Sequence, residues 1–92
     1  MSKYLALDLG AESGRAVVGH LDGERLALEE VCRFPNGPVQ VLGSLHWDVL
    51  RLWSEIQHGL EQAARAYGDD LFSIGLDTWG VDFGLLAGDG ML

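Results

Sequence analysis

Only one stretch of this chain repeats its apolar residues with the period of an α-helix, and that stretch constrains what the rest can be. Val49, Trp53, Ile56, Leu60, Ala63 and Tyr67 recur at steps of four and three, and Leu52 and Ala64 widen the stripe. Residues 48–67 are therefore predicted to form one amphipathic helix. Asp48 can cap its first turn by accepting a backbone N–H, and Gly68 suits the left-handed position after the last turn. Gly59 lies inside the helix, where glycine costs about 1 kcal/mol relative to alanine. A lone helix of this kind must bury its stripe on another layer.

The flanking sequence supplies strands for that layer. Residues 4–9 form a short apolar run with Asp8 near its end, and residues 15–21 and 26–34 are two further strand candidates. Gly10-Ala11-Glu12-Ser13-Gly14 is a glycine-bounded turn between the first two, and Asp22-Gly23 is a hairpin signal between the second and third. Pro35-Asn36-Gly37-Pro38 predicts a loop, because each proline lacks an N–H and restricts its predecessor. Residues 39–47 read as a short extended piece. After the helix, residues 71–77 predict a fourth strand, 78–80 a turn, 81–87 a fifth strand and Gly88-Asp89-Gly90 another hairpin turn. The predicted order is β-β-β-α-β-β, an α/β pattern. A three-stranded meander followed by a helix and a strand is how a ribonuclease H-like half-domain begins. A final hairpin lacking its return strand leaves an open ladder edge, so residues 1–92 are expected to be an incomplete domain.

Composition narrows the partners. The chain has 92 residues, with 6 Lys+Arg against 14 Asp+Glu and a net charge of −8, so no basic patch invites nucleic acid or an anionic membrane. No apolar run approaches the roughly 20 residues of a membrane span, and the first residues lack a signal-peptide pattern. With the single Cys32 unable to form an internal disulfide, a reducing cytoplasm is the expected compartment. Cys32 itself reads as a small core residue. His20, His46 and His58 are too dispersed for a zinc site, and no arrangement for nucleophilic catalysis is present.

Two constellations could carry chemistry. In Asp8-Leu9-Gly10-Ala11-Glu12-Ser13-Gly14-Arg15 a carboxylate ends a strand and a glycine-rich turn follows. Such a turn can aim backbone N–H groups at an anion, Ser13 and Arg15 can bond phosphate oxygens, and Asp8 can hold Mg²⁺ through water. No Gly-Lys-Ser/Thr follows, and the glycines do not have dinucleotide spacing. The same spacing also fits an ordinary glycine hairpin with solvated Glu12 and Arg15. The second constellation is Asp77-Thr78-Trp79-Gly80-Val81-Asp82-Phe83, with two carboxylates five apart beside a tryptophan. An aromatic face and carboxylates suit a sugar, and they equally suit core aromatics with turn-capping aspartates.

At these two motifs, together with Arg33-Phe34-Pro35-Asn36-Gly37 and His46-Trp47-Asp48-Val49, the sequence resembles the N-terminal part of the FGGY carbohydrate kinases. The resemblance covers nearly the whole chain, and the second motif is similar to that of members acting on L-rhamnulose. It implies a ribonuclease H-like fold of the actin-like ATPase superfamily and two such domains with a cleft between them. It also implies ATP and Mg²⁺ as cofactors and transfer of the γ-phosphate to L-rhamnulose, giving the 1-phosphate. By match of motif, Ala11, Glu12, Ser13, Gly14 and Arg15 would face the ATP phosphates and Asp8 would sit near the metal. Gly80 would contact the sugar through its backbone, with Trp79 and Asp82 lining the site. The family's catalytic base, an aspartate, lies downstream of residue 92, so no catalytic residue is assigned here. The missing remainder of the kinase would be the partner of this piece, which alone is not expected to turn over sugar. Another sugar kinase of the same superfamily and a non-catalytic nucleotide-binding module remain open as alternatives.

Overall fold

The structure is a computed structural model that describes residues 2–92. Its chain order is β1 (Ser2–Leu9), β2 (Ser13–Asp22), β3 (Arg25–Pro35), β4 (Pro38–Val41), β5 (Ser44–Trp47), helix α1 (Val49–Tyr67), a single 3-10 turn (Gly68–Asp70) and β6 (Leu71–Thr78). Four strands form one mixed sheet in the order β3-β2-β1-β6, and β4-β5 is a separate two-stranded ribbon. β1, β2 and β3 make the expected antiparallel meander, and β6 returns parallel to β1 after the helix. The α/β class is observed, with one helix on a mixed sheet.

Alternation along the strands decides which face the helix covers. Leu5 and Leu7 of β1 and Ala16 and Val18 of β2 are buried with Ala63 of α1. Their neighbours in sequence point to the opposite, helix-free face. Gly59 is buried at the closest approach: a Cβ there would lie 3.1 Å from the Ala16 Cβ and 3.2 Å from Leu7 Cδ2. Glycine thus lets the helix axis sit closer to the sheet than alanine would. Gly14 has a parallel role on the same face, because any Cβ there would overlap the Phe34 ring, which is itself buried. The helix ends are set by the residues predicted to set them. The Asp48 carboxylate accepts from the Arg51 amide at 3.2 Å, and Gly68 takes a φ of 53°.

Three expectations need correction. The order is not β-β-β-α-β-β, because residues 38–47 close into the β4-β5 hairpin. Leu42 and Gly43 both adopt positive φ, 50° and 85°, the backbone that a tight two-residue hairpin requires. A leucine gives no sequence signal for that conformation. The predicted strand at 81–87 is absent: after β6 the chain makes a turn and runs on irregularly. It has an alternating pattern but no neighbouring strand, and β6 pairs on one side only. The following turn does form, with the Gly90 amide donating to the Ala87 carbonyl at 2.9 Å. Finally, Val49 and Trp53, predicted on the buried stripe, are 45% and 55% exposed, as the helix covers β1–β3 and leaves its first turns beyond the sheet. Ile74 and Leu76 of β6 are likewise exposed. Among the described residues no helix is long and apolar enough to cross a membrane.

Candidate functional site

The site begins with the sheet register. Arg33, Arg15, Asp8 and Asp77 are successive partners across β3, β2, β1 and β6. Each lies one residue from a helix-facing position, so this charged row occupies the helix-free face, where the β1-β2 turn opens. The Arg15 Nη1 is 3.6 Å from Asp8 Oδ2, and the Arg15 Nη2 donates to Ser13 Oγ at 2.7 Å. Arg33 forks onto Glu30, donating from Nε and Nη2 at 2.5 and 2.9 Å, and its Nη1 reaches Ser13 Oγ at 3.5 Å. The Nε of Arg15 is buried and has no hydrogen-bond partner among the described residues.

Asp8 and Asp77 make an acidic pair. Hydrogen bonding with Asp8 holds the Asp77 carboxyl above its ordinary pKa, reinforced by partial loss of solvent and by the Asp8 charge. Arg15 offsets only part of this. Two carboxylates side by side with one cation between them and their neighbours are a donor set that a hard divalent ion fits, since Mg²⁺ uses one or two carboxylates and completes its shell with water and phosphate.

The turn beside the row is held from outside. The Asn36 Nδ2 donates to the Gly10 carbonyl at 2.8 Å, and the Asn36 amide donates to the Glu12 carbonyl at 2.9 Å. Within the turn the Gly10 amide reaches the Ser13 carbonyl at 3.0 Å. The Arg51 Nη2 donates to the Pro35 carbonyl at 2.8 Å, fixing the end of β3 against the first turn of α1. With its carbonyls engaged, the turn leaves the amides of Ala11 and Glu12 without an acceptor among the described residues. Ala11, Ser13 and Arg15 are half-buried, Glu12 is exposed and Gly14 is buried under Phe34. Ala11, Glu12, Ser13, Gly14, Arg15 and Asp8, named from the sequence, are thus brought together.

The second constellation divides. Asp77 joins Asp8 on the sheet, whereas Asp82 belongs to a cleft of about 760 Å³ between the β4-β5 ribbon and the segment after β6. Trp79, Asp82 and Phe83 line one wall, His46 and Trp47 the other. The turn that separates the two aspartates closes with the Asp82 amide donating to the Trp79 carbonyl at 3.0 Å. Gly80 lies in that turn, exposed, and a Cβ there would meet nothing. Three residues quoted in the sequence motifs take roles not expected of them. Asp77 is the partner of Asp8, and both follow a leucine at the end of an apolar strand, a signal visible in the sequence. Asn36 braces the turn, and Trp47 borders the cleft. Neither role has a sequence signature, because each depends on chain segments meeting across a distance.

Burial, followed by the charges of Glu55 and Glu30, pushes the Cys32 thiol up, and its side chain packs against the core. It is no activated nucleophile.

The described residues thus form an α/β protein whose mixed sheet ends in a braced turn and a carboxylate pair, with an aromatic cleft between the β4-β5 ribbon and the segment after β6. Sequence comparison narrows the class. The chain is similar to rhamnulokinases: it is 47% identical to that of Bacteroides thetaiotaomicron over 97% of its own length and 18% of the relative's. It is 44% identical to that of Oceanobacillus iheyensis over 89% of its length, covering 17% of that chain, and 42% identical to that of Bacillus subtilis over 90%, again covering 17%. The chain therefore spans less than a fifth of the length of these curated relatives. No protein-family model matches it. The resemblance to sugar kinases drawn from the motifs stands at the level of sequence.

Proposed function

We propose that this chain is the N-terminal part of an FGGY-type sugar kinase with a ribonuclease H-like fold, and that the whole enzyme transfers the γ-phosphate of ATP to L-rhamnulose, yielding L-rhamnulose 1-phosphate. The similarity to rhamnulokinases supports the substrate class. The observation that carries the chemistry is the braced turn beside the Asp8–Asp77 pair.

Phosphoryl transfer depends on positioning and charge stabilisation. The free amides of Ala11 and Glu12 would donate to phosphate oxygens, and Ser13 would add a hydroxyl donor. Arg15, whose Nε lacks a partner, would turn part of its guanidinium to a phosphate oxygen while keeping Asp8 in place. Asp8 and Asp77 would hold Mg²⁺, largely through water, and bound there the ion would neutralise charge on the phosphates. In the cleft, Trp79 would pack against sugar C–H groups and Asp82 would accept hydrogen bonds from hydroxyls, while Gly80, in the turn beside the cleft, would offer its backbone without a side chain in the way. The base that takes the proton of the attacking hydroxyl belongs to the remainder of the enzyme.

An assay of the longer kinase chain carrying this segment tests the reading. ATP is supplied with L-rhamnulose, L-fuculose, L-ribulose or D-xylulose in turn, and ADP release is followed. Preference for L-rhamnulose is expected. Preference for another sugar would leave a sugar kinase of different specificity, and ATP binding without turnover on any sugar would leave a non-catalytic module.

A further inference from the structure

We infer that Trp47 is the positioning residue of the sugar site, setting the carboxylate of Asp82 through its indole N–H; this rests on the proposed function and adds a specificity element to it. The Trp47 Nε1 donates to Asp82 Oδ1 at 2.9 Å, across 35 residues of sequence. Both side chains are half-buried at the cleft wall.

Three features make this contact more than incidental. First, residues 79–92 form no strand or helix, and among the described residues their other hydrogen bonds are local: Asp82 to Trp79, Ala87 to Met91, Gly90 to Ala87, Met91 to Asp89 and Thr78 to Trp79. The Trp47 bond is the one that reaches another element. A carboxylate on an irregular segment gains direction only from such a tether. Second, the donor is well held. Trp47 closes β5 opposite Pro38, and the register of that ribbon is fixed by the positive-φ pair Leu42-Gly43. Third, the chemistry is one-directional. An indole N–H donates and never accepts, so it engages one oxygen of an ionised Asp82 and leaves Oδ2 to accept from a hydroxyl. A hydrogen bond to a charged acceptor is among the stronger kinds.

The β4-β5 ribbon, not predicted from the sequence, thereby becomes a wall of the sugar site. Its contribution falls on sugar binding and not on nucleotide binding, because the braced turn shares no hydrogen bond with it among the described residues.

The test uses the longer kinase chain with Trp47→Phe, Asp82→Asn and the double substitution. Phenylalanine keeps the apolar wall and deletes the N–H. Trp47→Phe is expected to raise KM for the sugar about tenfold and leave KM for ATP unchanged. The double variant should be no worse than Asp82→Asn alone, since the indole acts only through that carboxylate. Additive losses, an unchanged sugar KM, or equal rises in both KM values would overturn the proposal. A wild-type chain with no turnover on any sugar would remove the kinase reading and this inference together, whereas normal wild-type turnover with an indifferent Trp47→Phe would remove this inference alone. A measurement without turnover accompanies it: in the longer kinase chain, the Trp47 indole N–H resonance should move upfield in Asp82→Ala. A resonance that stays in place contradicts the bond.

Discussion

Asp8 and Asp77 stand opposite each other on adjacent parallel strands, and hydrogen bonding with Asp8 raises the Asp77 carboxyl above its ordinary value of 3.8. A raised folded-state pKa means that the folded chain binds the proton more tightly than the unfolded chain. Stability from this group is present below the ordinary value and is lost as pH rises through the raised one. Asp77→Asn should therefore increase the melting temperature at pH 7, with the gain shrinking as pH falls toward 3.8. Thermal melts of both proteins across pH 3–8 check this, and parallel pH profiles would contradict it. Added Mg²⁺ should stabilise the wild type more than the variant, because the ion relieves the repulsion between two carboxylates.

At the opposite end of the sheet the carboxylate shift has the other sign. Glu29 accepts from the Tyr67 hydroxyl and lies 3.0 Å from His20 Nε2, and the Tyr67 bond, followed by His20, lowers its pKa from 4.5. Stability from Glu29 is present above that value and lost as pH falls through the lowered one. The Lys3 ammonium sits 5.6 Å from the Tyr67 ring centre, so three strands meet the end of α1 here. Tyr67→Phe should lower the melting temperature at pH 7, with the loss shrinking as pH falls below 4.5 and Glu29 takes up its proton. A loss that stays the same across the acid range would show that the hydroxyl acts by packing alone.

The Gly14–Phe34 contact predicts a compensating pair. Gly14→Ala forces a methyl into the Phe34 ring and should destabilise by about 1–3 kcal/mol, the usual range for overpacking. Phe34→Ala leaves a hole instead. The double variant should lose clearly less than the sum of the two, as urea unfolding would show. Additive losses would mean that the ring moves aside freely.

Gly59 sets helix propensity against packing. Alanine is the better helix former by about 1 kcal/mol. The neighbour at 3.1 Å is the Ala16 Cβ, fixed to the backbone of a central strand, so the helix would have to move away. Gly59→Ala is expected to be net destabilising in chemical denaturation. A stabilised variant would show that the interface relaxes without loss.

Much of this was legible in the chain, and what was not has a physical pattern. Asp48 and Gly68 marked the helix ends, and Asp22-Gly23 marked a hairpin whose glycine takes a φ of 61°. These are local signals, set by one residue's own backbone chemistry. The misses are relational. The β4-β5 turn uses Leu42 in a conformation its side chain disfavours, and residues 81–87 alternate like a strand without a neighbour to pair with. In the site, the grouping of Asp8 with Ala11–Arg15 was visible because it is contiguous. The assignment of Asp77 to that group and of Asp82 to the cleft depended on the parallel register of β6 with β1, which a crossover through α1 determines.

The most direct test of the account is phosphoryl transfer itself. The longer kinase chain carrying this segment is assayed with saturating Mg²⁺, ATP and L-rhamnulose, as wild type and as Asp8→Asn, with the 92-residue chain alone as a third sample. Turnover is expected in the wild type, with a loss of about a hundredfold or more in kcat for Asp8→Asn and no turnover in the 92-residue chain. An undiminished kcat in Asp8→Asn, or sugar phosphorylation by the 92-residue chain alone, would contradict it.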